Sequence, residues 1–362
     1  MPKNNPAPIH LHRSGRKIGP SEPPYIIAEI GTNHNRSKET AKEMIHKIGE
    51  AGAQCVKFQI YEPNEIVSAN VCAADYGLDH WYGNISAQEM FAKHLMTPKE
   101  WFPELKEECH ALDLDFAATI HGPNGLVWSA EAKPDLIKIA SMDHTNLPLL
   151  ESLSGTVPSP ILISFGMAQL ADIDTAMAVL GTHPPGVGMF HCTAVYPPRP
   201  EELMLGKITY YQDRFDVSVG FSDHSDDTTT ALASFGIGAR FFEKHVTMDQ
   251  KQQGPDHPFA LEFPAFTKYV DDLQMAFVSI GKNTFREPST REISNRSAYL
   301  KSLIATRDLS AGEIIKASDI YLARPGTGIQ PKELCRIVGR ILGRDVPAET
   351  PLMWEDLEAD RG

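Results

Sequence analysis

The chain has 362 residues, 42% hydrophobic and 22% charged, which excludes a disordered polypeptide and leaves room for a barrel of about 250 residues plus an appendage. Lys and Arg number 34 against 47 Asp and Glu, and the formal net charge of -13 argues against nucleic acid or an anionic membrane surface as a partner. No apolar run reaches the roughly 18 residues needed to span a bilayer, and the N-terminal MPKNNPAPIHLHRSGRK has no apolar core of the secretory kind, so a cytoplasmic protein is expected.

Eight short apolar segments recur along the chain. They are PYIIAEIG (24–31), CVKFQI (55–60), DFAATI (115–120), LIKIAS (136–141), PILISFG (160–166), VGMFHC (187–192), VSVGFSD (217–223) and ARFFEKHV (239–246). Helical patterns fall at 37–52, 98–112, 169–181, 226–237 and 264–281. Thr97-Pro98-Lys99-Glu100 reads as a helix start with Thr97 as cap, and Asp226 and Asp227 suit the positive end of the helix after the seventh strand. Strand and helix alternating in this way predict an α/β fold, a closed (β/α)8 TIM barrel over residues 1–281. The connection from Tyr61 to Met96 is long, and a loop of that length on the active rim is expected to cover the pocket. Residues 282–298 are polar and read as a linker; 299–362, rich in Gly and Pro with sparse apolar segments, read as a small β-rich domain.

Chemistry-bearing residues collect near the ends of these strands: Glu29 on the first, Lys57 and Gln59 on the second, Thr119 on the third, Lys138 and Ser141 on the fourth. Ser164 follows on the fifth, His191 and Thr193 on the sixth with Tyr196 just beyond, Ser222 and His224 on the seventh, Glu243 and His245 on the eighth. Residues two apart in a strand project from one face, and parallel barrels build their sites at the carboxyl ends of the strands. His224 and His245, delivered to one rim by neighbouring strands, are placed to share a divalent metal.

A single Ser or His at such a position is ordinarily structural, and a single Lys can extend outwards to water. The set reads differently. Lysines facing the interior of strands two and four would be buried cations, costly unless anionic partners meet them, and an anionic ligand would meet that cost. Against an acidic background, the pocket must then be locally basic. His34 reads equally as a loop contact or a turn residue. Cys192, with no base implied by spacing, reads as buried filler, and the five cysteines form no CxxC pair.

The ordered motifs IAEIGTNHN, VKFQ, KIAS, SFGM, HCTAVYP, GFSDHS, EKHVT and GPDH resemble the sialic acid synthase family, which includes the N-acetylneuraminate, legionaminate, pseudaminate and spore-coat polysaccharide synthases. The terminal block ATRDLSAGEIIKASDIYLARPGTG is similar to that family's antifreeze-like (SAF, β-clip) domain. The resemblance implies a transferase that condenses phosphoenolpyruvate with an N-acylated hexosamine, such as N-acetylmannosamine, giving a nine-carbon 2-keto-3-deoxy acid and phosphate.

It implies His224 and His245 as ligands of Mn²⁺, with Mg²⁺ or Co²⁺ as substitutes. Lys57, Thr119, Lys138, Ser141, Ser164 and Ser222 would hold phosphoenolpyruvate. Glu29, Gln59, Tyr196 and Asp256 would meet the sugar or the reacting water, with Asp143 at the sugar hydroxyls. Arg324 would reach the N-acyl group in the other subunit of a domain-swapped homodimer.

The chain departs from the family pattern at Asp143 (usually Glu), Ala194 (often Asn), Phe165, Arg36 and Ile120-His121 (usually Pro-Phe), positions grouped on the sugar side. Two alternatives stay open: a phosphoenolpyruvate–aldose synthase acting on another aldose, and an inactive carbohydrate-binding paralogue.

Overall fold

In a computed structural model that describes residues 6–281 and 286–359, eight parallel strands close on themselves. They are β1 Tyr25–Glu29, β2 Cys55–Ile60, β3 Asp115–Ile120, β4 Leu136–Ile139, β5 Ile161–Ser164, β6 Val187–Cys192, β7 Val219–Asp223 and β8 Phe241–Thr247. Each pairs with the next, and β8 returns to β1 in a register from Phe241↔Tyr25 to His245↔Glu29, so the sheet has no free edge among these strands. The predicted TIM barrel is therefore present, with every strand limit within two residues of the sequence reading.

Helices follow the strands. α1 Lys38–Glu50 is capped by Ser37, whose hydroxyl accepts from Thr40 N, and buries Ala41, Met44, Ile45 and Ile48 against the strands. Next come α2 Phe102–Ala111, α3 Pro123–Ala132, α4 Leu147–Leu153, α5 Leu170–Leu180, α6 Lys207–Phe215, α7 Thr229–Gly236 and α8 Phe263–Ile280. Three of these escape the sequence reading for physical reasons. α3 opens on Pro-Asn-Gly, α4 has seven residues, and α6 (KITYYQDRF) carries β-branched and aromatic residues of low helix propensity. The Thr97 cap is not formed. α2 starts after a single 3-10 turn at Lys99–Trp101, and the Thr97 hydroxyl instead meets Nε2 of His34 at 2.8 Å. Asp227 behaves as expected, its Oδ1 accepting from Thr229 N at the start of α7.

Inward-facing positions alternate along every strand. The lower interior is apolar, built from Ile27, Cys55, Ala117, Leu136, Leu162, Phe190 and Phe241. A hairpin of Ile9–His10 with Lys17–Ile18 adds Ile9, Leu11 and Ile18 to the same cluster. A Cβ at Gly220 would collide with the ring and carbonyl of Phe241, so glycine there lets that ring fill the centre. Each fully buried side chain of this size stabilises by about 1.5–3 kcal/mol. With the lower half packed, only the carboxyl ends of the strands are left to form a cavity.

The chain divides into two compact units, Met1–Lys282 and Asn283–Gly362. Of the stretch 282–298 read as a linker, residues 282–285 lie outside the described residues, while Thr290–Ser294 and Arg296–Tyr299 are short helices. The second unit pairs β9 Ser302–Ala305 antiparallel with β10 Ile320–Ala323. Its own core gathers Leu303, Leu309, Ile315, Ile329, Ile337, Leu342 and Leu352. Among the described residues, no helix is long and apolar enough to cross a membrane.

Candidate active site

A cavity of about 360 Å³ opens at the carboxyl ends of the strands. Glu29, Lys57, Gln59, Thr119, Lys138, Ser141, Ser164, Tyr196, Ser222, His224, His245 and Asp256 all line it. The alternation that packs the floor with apolar side chains places polar ones in the next layer up, two residues further along each strand. Hence Ile27 gives way to Glu29, Cys55 to Lys57, Ala117 to Thr119, Leu136 to Lys138, Leu162 to Ser164 and Phe241 to Glu243.

The two lysines are deeply buried, at 4% exposure each, and their counterions come from the chain itself. Lys57 Nζ lies 2.7 Å from Glu29 Oε2 and 3.7 Å from Glu243 Oε2, and donates to Thr119 Oγ1 at 2.8 Å. Lys138 Nζ donates to Glu243 Oε2 at 2.7 Å and sits 4.3 Å from the centre of the Phe190 ring. Ser222 Oγ donates to Glu243 Oε1, and Gln59 Nε2 to Glu29 Oε1. The idea that these cations wait for a ligand to neutralise them is thus corrected: Glu29 and Glu243 already do so.

Burial opposes charge on Lys57, but Glu243 and Glu29 outweigh it and raise its pKa. For Lys138, burial prevails over Glu243 and the pKa falls. Burial, against the pull of Lys57, raises Glu29; Glu243, although equally buried, is held well below the ordinary carboxylate range by Lys138 and Lys57.

Above this layer the rings of His224 and His245 lie 5.4 Å apart at an angle of 47°. Phe259 packs against both, with centroids at 5.9 and 5.0 Å, and Tyr196 lies 4.5 Å from His224. Burial lowers the pKa of His224 to about 3 and that of His245 well below its usual value, so both rings are neutral, the form that binds metals. His245 Nδ1 is buried with no hydrogen-bond partner, and Asp256 Oδ2 is 3.7 Å away. Burial and the nearby Glu29 raise Asp256 to about 7. Among the described residues, no group of three or more His, Cys, Asp or Glu is arranged to hold a metal. His224 and His245 are the pair that could hold a cation here, and such a site would leave the remaining coordination positions to water and substrate. Ser164 Oγ is likewise buried without a partner, while Ser141 Oγ accepts from Gly166 N at 2.9 Å.

Several expectations change. Asp143 does not line the cavity; its Oδ2 lies 2.7 Å from Nδ1 of His121, which does. His191 and Thr193 are out of phase with the inward positions of β6. His191 Nε2 meets Leu203 O at 2.6 Å behind the strand, Thr193 Oγ1 faces Glu202 O, and Cys192 and Ala194 face the cavity instead. His34 is a turn residue, fully buried between Thr97 Oγ1 and Arg36 N. Cys192 is buried, with Sγ 4.0 Å from His224 Nδ1 and its thiol pKa raised by burial. The segment 61–96 folds into short helical turns around Ala73, Met90 and Leu95; none of its residues lines the cavity, but Tyr61 packs on His121 and the Trp81 carbonyl accepts from Gln253 in the loop after β8.

Arg324, in the second unit, stacks on Tyr299 at 5.1 Å and donates from Nε to Tyr299 O. Met142, Met167 and Phe259 were not among the sequence candidates, and His121 was marked there only as a departure from the family pattern, with no role in the site. The alternation 117, 119, 121 on β3 could have found His121; nothing local marks Phe259, which arrives from beyond the loop after β8.

Residues 44–285 match the NeuB family and residues 301–358 match the SAF domain. The chain belongs to the NeuB family. It is 32% identical over 360 residues to the N,N'-diacetyllegionaminic acid synthase of Legionella pneumophila, covering 96% of this chain and 99% of that one. The pseudaminic acid synthase of Helicobacter pylori is 28% identical over 340 residues, covering 93% and 98%. Among solved structures, the N-acetylneuraminic acid synthetase of Leptospira borgpetersenii, in complex with citrate, is 27% identical with a TM-score of 0.71, covering 81% of this chain and 96% of that one. In this NeuB-family protein the family match spans all of the cavity-lining strands except β1.

Proposed function

We propose that this NeuB-family protein condenses phosphoenolpyruvate with an N-acylated hexosamine, N-acetylmannosamine or a relative, to a nine-carbon 2-keto-3-deoxy acid and phosphate. The observation that carries this reading is the pair Lys57 and Lys138, buried at the base of the cavity directly below two neutral imidazoles. Lys57, Lys138, Thr119, Ser164 and Ser222 would bind the carboxylate and phosphate of the enol, with Ser141 bracing the backbone at Gly166. Binding a polyanion there draws the lysines from Glu29 and Glu243, and the raised pKa of Glu29 favours its taking up a proton as it is released.

His224 and His245 would hold a divalent ion, Mn²⁺ foremost, which when bound supplies Lewis acidity at the acceptor's aldehyde oxygen. C3 of the enol bonds to the aldehyde carbon, water adds its oxygen to C2, and the C2–oxygen bond to phosphate then breaks. Glu29 and Gln59, hydrogen-bonded to each other, would hold that water or a sugar hydroxyl, and Asp256 and Tyr196, which also line the cavity, would meet the sugar. Arg324 of a second copy would reach the N-acyl group, which makes a homodimer the working form.

The relatives named as legionaminic and pseudaminic acid synthases support an acylamino acceptor. The experiment is phosphate release from phosphoenolpyruvate with Mn²⁺ and a panel of acetamido hexoses, with arabinose 5-phosphate and erythrose 4-phosphate as comparison arms, and mass spectrometry of the product. Release only with acetamido hexoses is expected. No release with any of them, or release only with the aldose phosphates, would sink the proposal.

A further inference from the structure

On the wall of the cavity, His121 and Asp143 form a pair that none of the chemistry above uses. His121 follows β3 directly and lies two residues beyond Thr119, so it stands about 6–7 Å further towards the mouth than the lysine-bound layer. Its side chain is 5% exposed and that of Asp143 is 8% exposed. Nδ1 of His121 and Oδ2 of Asp143 are 2.7 Å apart, and the other carboxylate oxygen of Asp143 takes a long contact of 3.4 Å from Asn146 Nδ2. The ring is braced on another side by Tyr61, edge-on at 5.7 Å. A carboxylate cannot donate, so Nδ1 carries the proton and is taken by Asp143, which leaves Nε2 as the ring nitrogen open to a ligand.

We infer that His121 is a specificity-determining residue, accepting through Nε2 a hydrogen bond from a hydroxyl or acylamino N–H of the acceptor, and that Asp143 is the positioning residue that fixes its tautomer and ring. This rests on the proposed condensation and deepens it. The sugar-side carboxylate expected at Asp143 is replaced, as the group facing the ligand, by an imidazole that the carboxylate holds from behind. A buried acceptor of this kind favours substrates that bring a donor and rejects those that leave Nε2 unpaired.

The test compares His121→Phe, His121→Gln, Asp143→Asn and the double variant H121F/D143N in Mn²⁺-loaded protein, with phosphoenolpyruvate binding followed separately by calorimetry. H121F is expected to raise the acceptor KM about ten-fold, the worth of one hydrogen bond, while phosphoenolpyruvate affinity stays within about two-fold. H121Q, whose amide oxygen can stand near the place of Nε2, should recover most of the loss. D143N should raise the acceptor KM in the wild-type background and have little effect in H121F, because it acts through the ring. Acceptors carrying a hydroxyl in place of the acylamino group distinguish the two donors. An acceptor KM unchanged in H121F, a parallel loss of phosphoenolpyruvate affinity, or additive effects of H121F and D143N would each overturn the inference while the condensation stands. A wild-type protein that releases no phosphate with any acceptor removes both.

Discussion

Lys244 and Asp223 form an ion pair at 3.3 Å with no exposure of either side chain, and each is the chain neighbour of a cavity histidine. The pair lies on the outward face of β7 and β8, where Lys244 also donates to the carbonyl of Ser225, and Asp223 Oδ1 accepts from Ser225 N and Oγ. Tyr269 of α8 closes over it, its ring 5.7 Å from Lys244 Nζ. The backbone on both sides of His224, and before His245, is thereby tied to one buried polar cluster.

Removing one partner should cost far more than removing both. Lys244→Met leaves Asp223 as an uncompensated buried carboxylate, and a loss of about 3–5 kcal/mol is expected from urea unfolding. The double variant K244M/D223N, which keeps an acceptor for Ser225, should recover at least half of that loss. Equal stabilities for the single and double variants would show that the pair is not coupled.

Lys57→Met should weaken phosphoenolpyruvate binding about a hundred-fold or more, because a buried cation directed at the anion is lost and Glu29 is left behind. Calorimetry with phosphoenolpyruvate alone reads this without turnover. Binding within three-fold of wild type would remove Lys57 from the anion site.

With His224 and His245 as the proposed ligand pair, His245→Gln should weaken Mn²⁺ binding at least ten-fold with a melting temperature within a few degrees of wild type. Its Nδ1 makes no hydrogen bond whose loss would unfold the barrel. Titration of the metal against the apo-protein is the measurement, and unchanged affinity would contradict the ligand role.

Arg324→Ala should raise the acceptor KM several-fold more than the phosphoenolpyruvate KM, since its proposed contact is to the N-acyl group alone. Mixing R324A with an inactive Lys57→Met protein should restore activity if the contact is made between copies. Absence of any restoration in verified mixed dimers would count against exchange between subunits.

The barrel was legible in the sequence because a parallel strand buried on both faces writes itself as a short apolar run, and eight such runs have few other arrangements. The lysines and histidines were legible because polar residues at inward positions break that run. What escaped depends on tertiary proximity. Nothing local says that Glu243 meets Lys138 across the cavity, or that Asp143 turns to His121 instead of the interior. On β6 the phase was misread by one residue. Both His191 and Cys192 fit an apolar strand, and the tertiary contacts of His191, its ring on Phe221 and its Nε2 at Leu203 O, select the face.

The lysine–glutamate pairing at the base of the cavity also bears on how firmly any guest is gripped. For the proposed enol substrate, Glu29 and Glu243 would act as tethered competitors at high local concentration, and an arriving anion would gain only the difference between itself and the resident carboxylates. That levelling trades tight capture for ready exchange. In the proposed condensation, which splits one anion into two, re-pairing of the lysines with these carboxylates would favour departure of the fragment left at the bottom of the well.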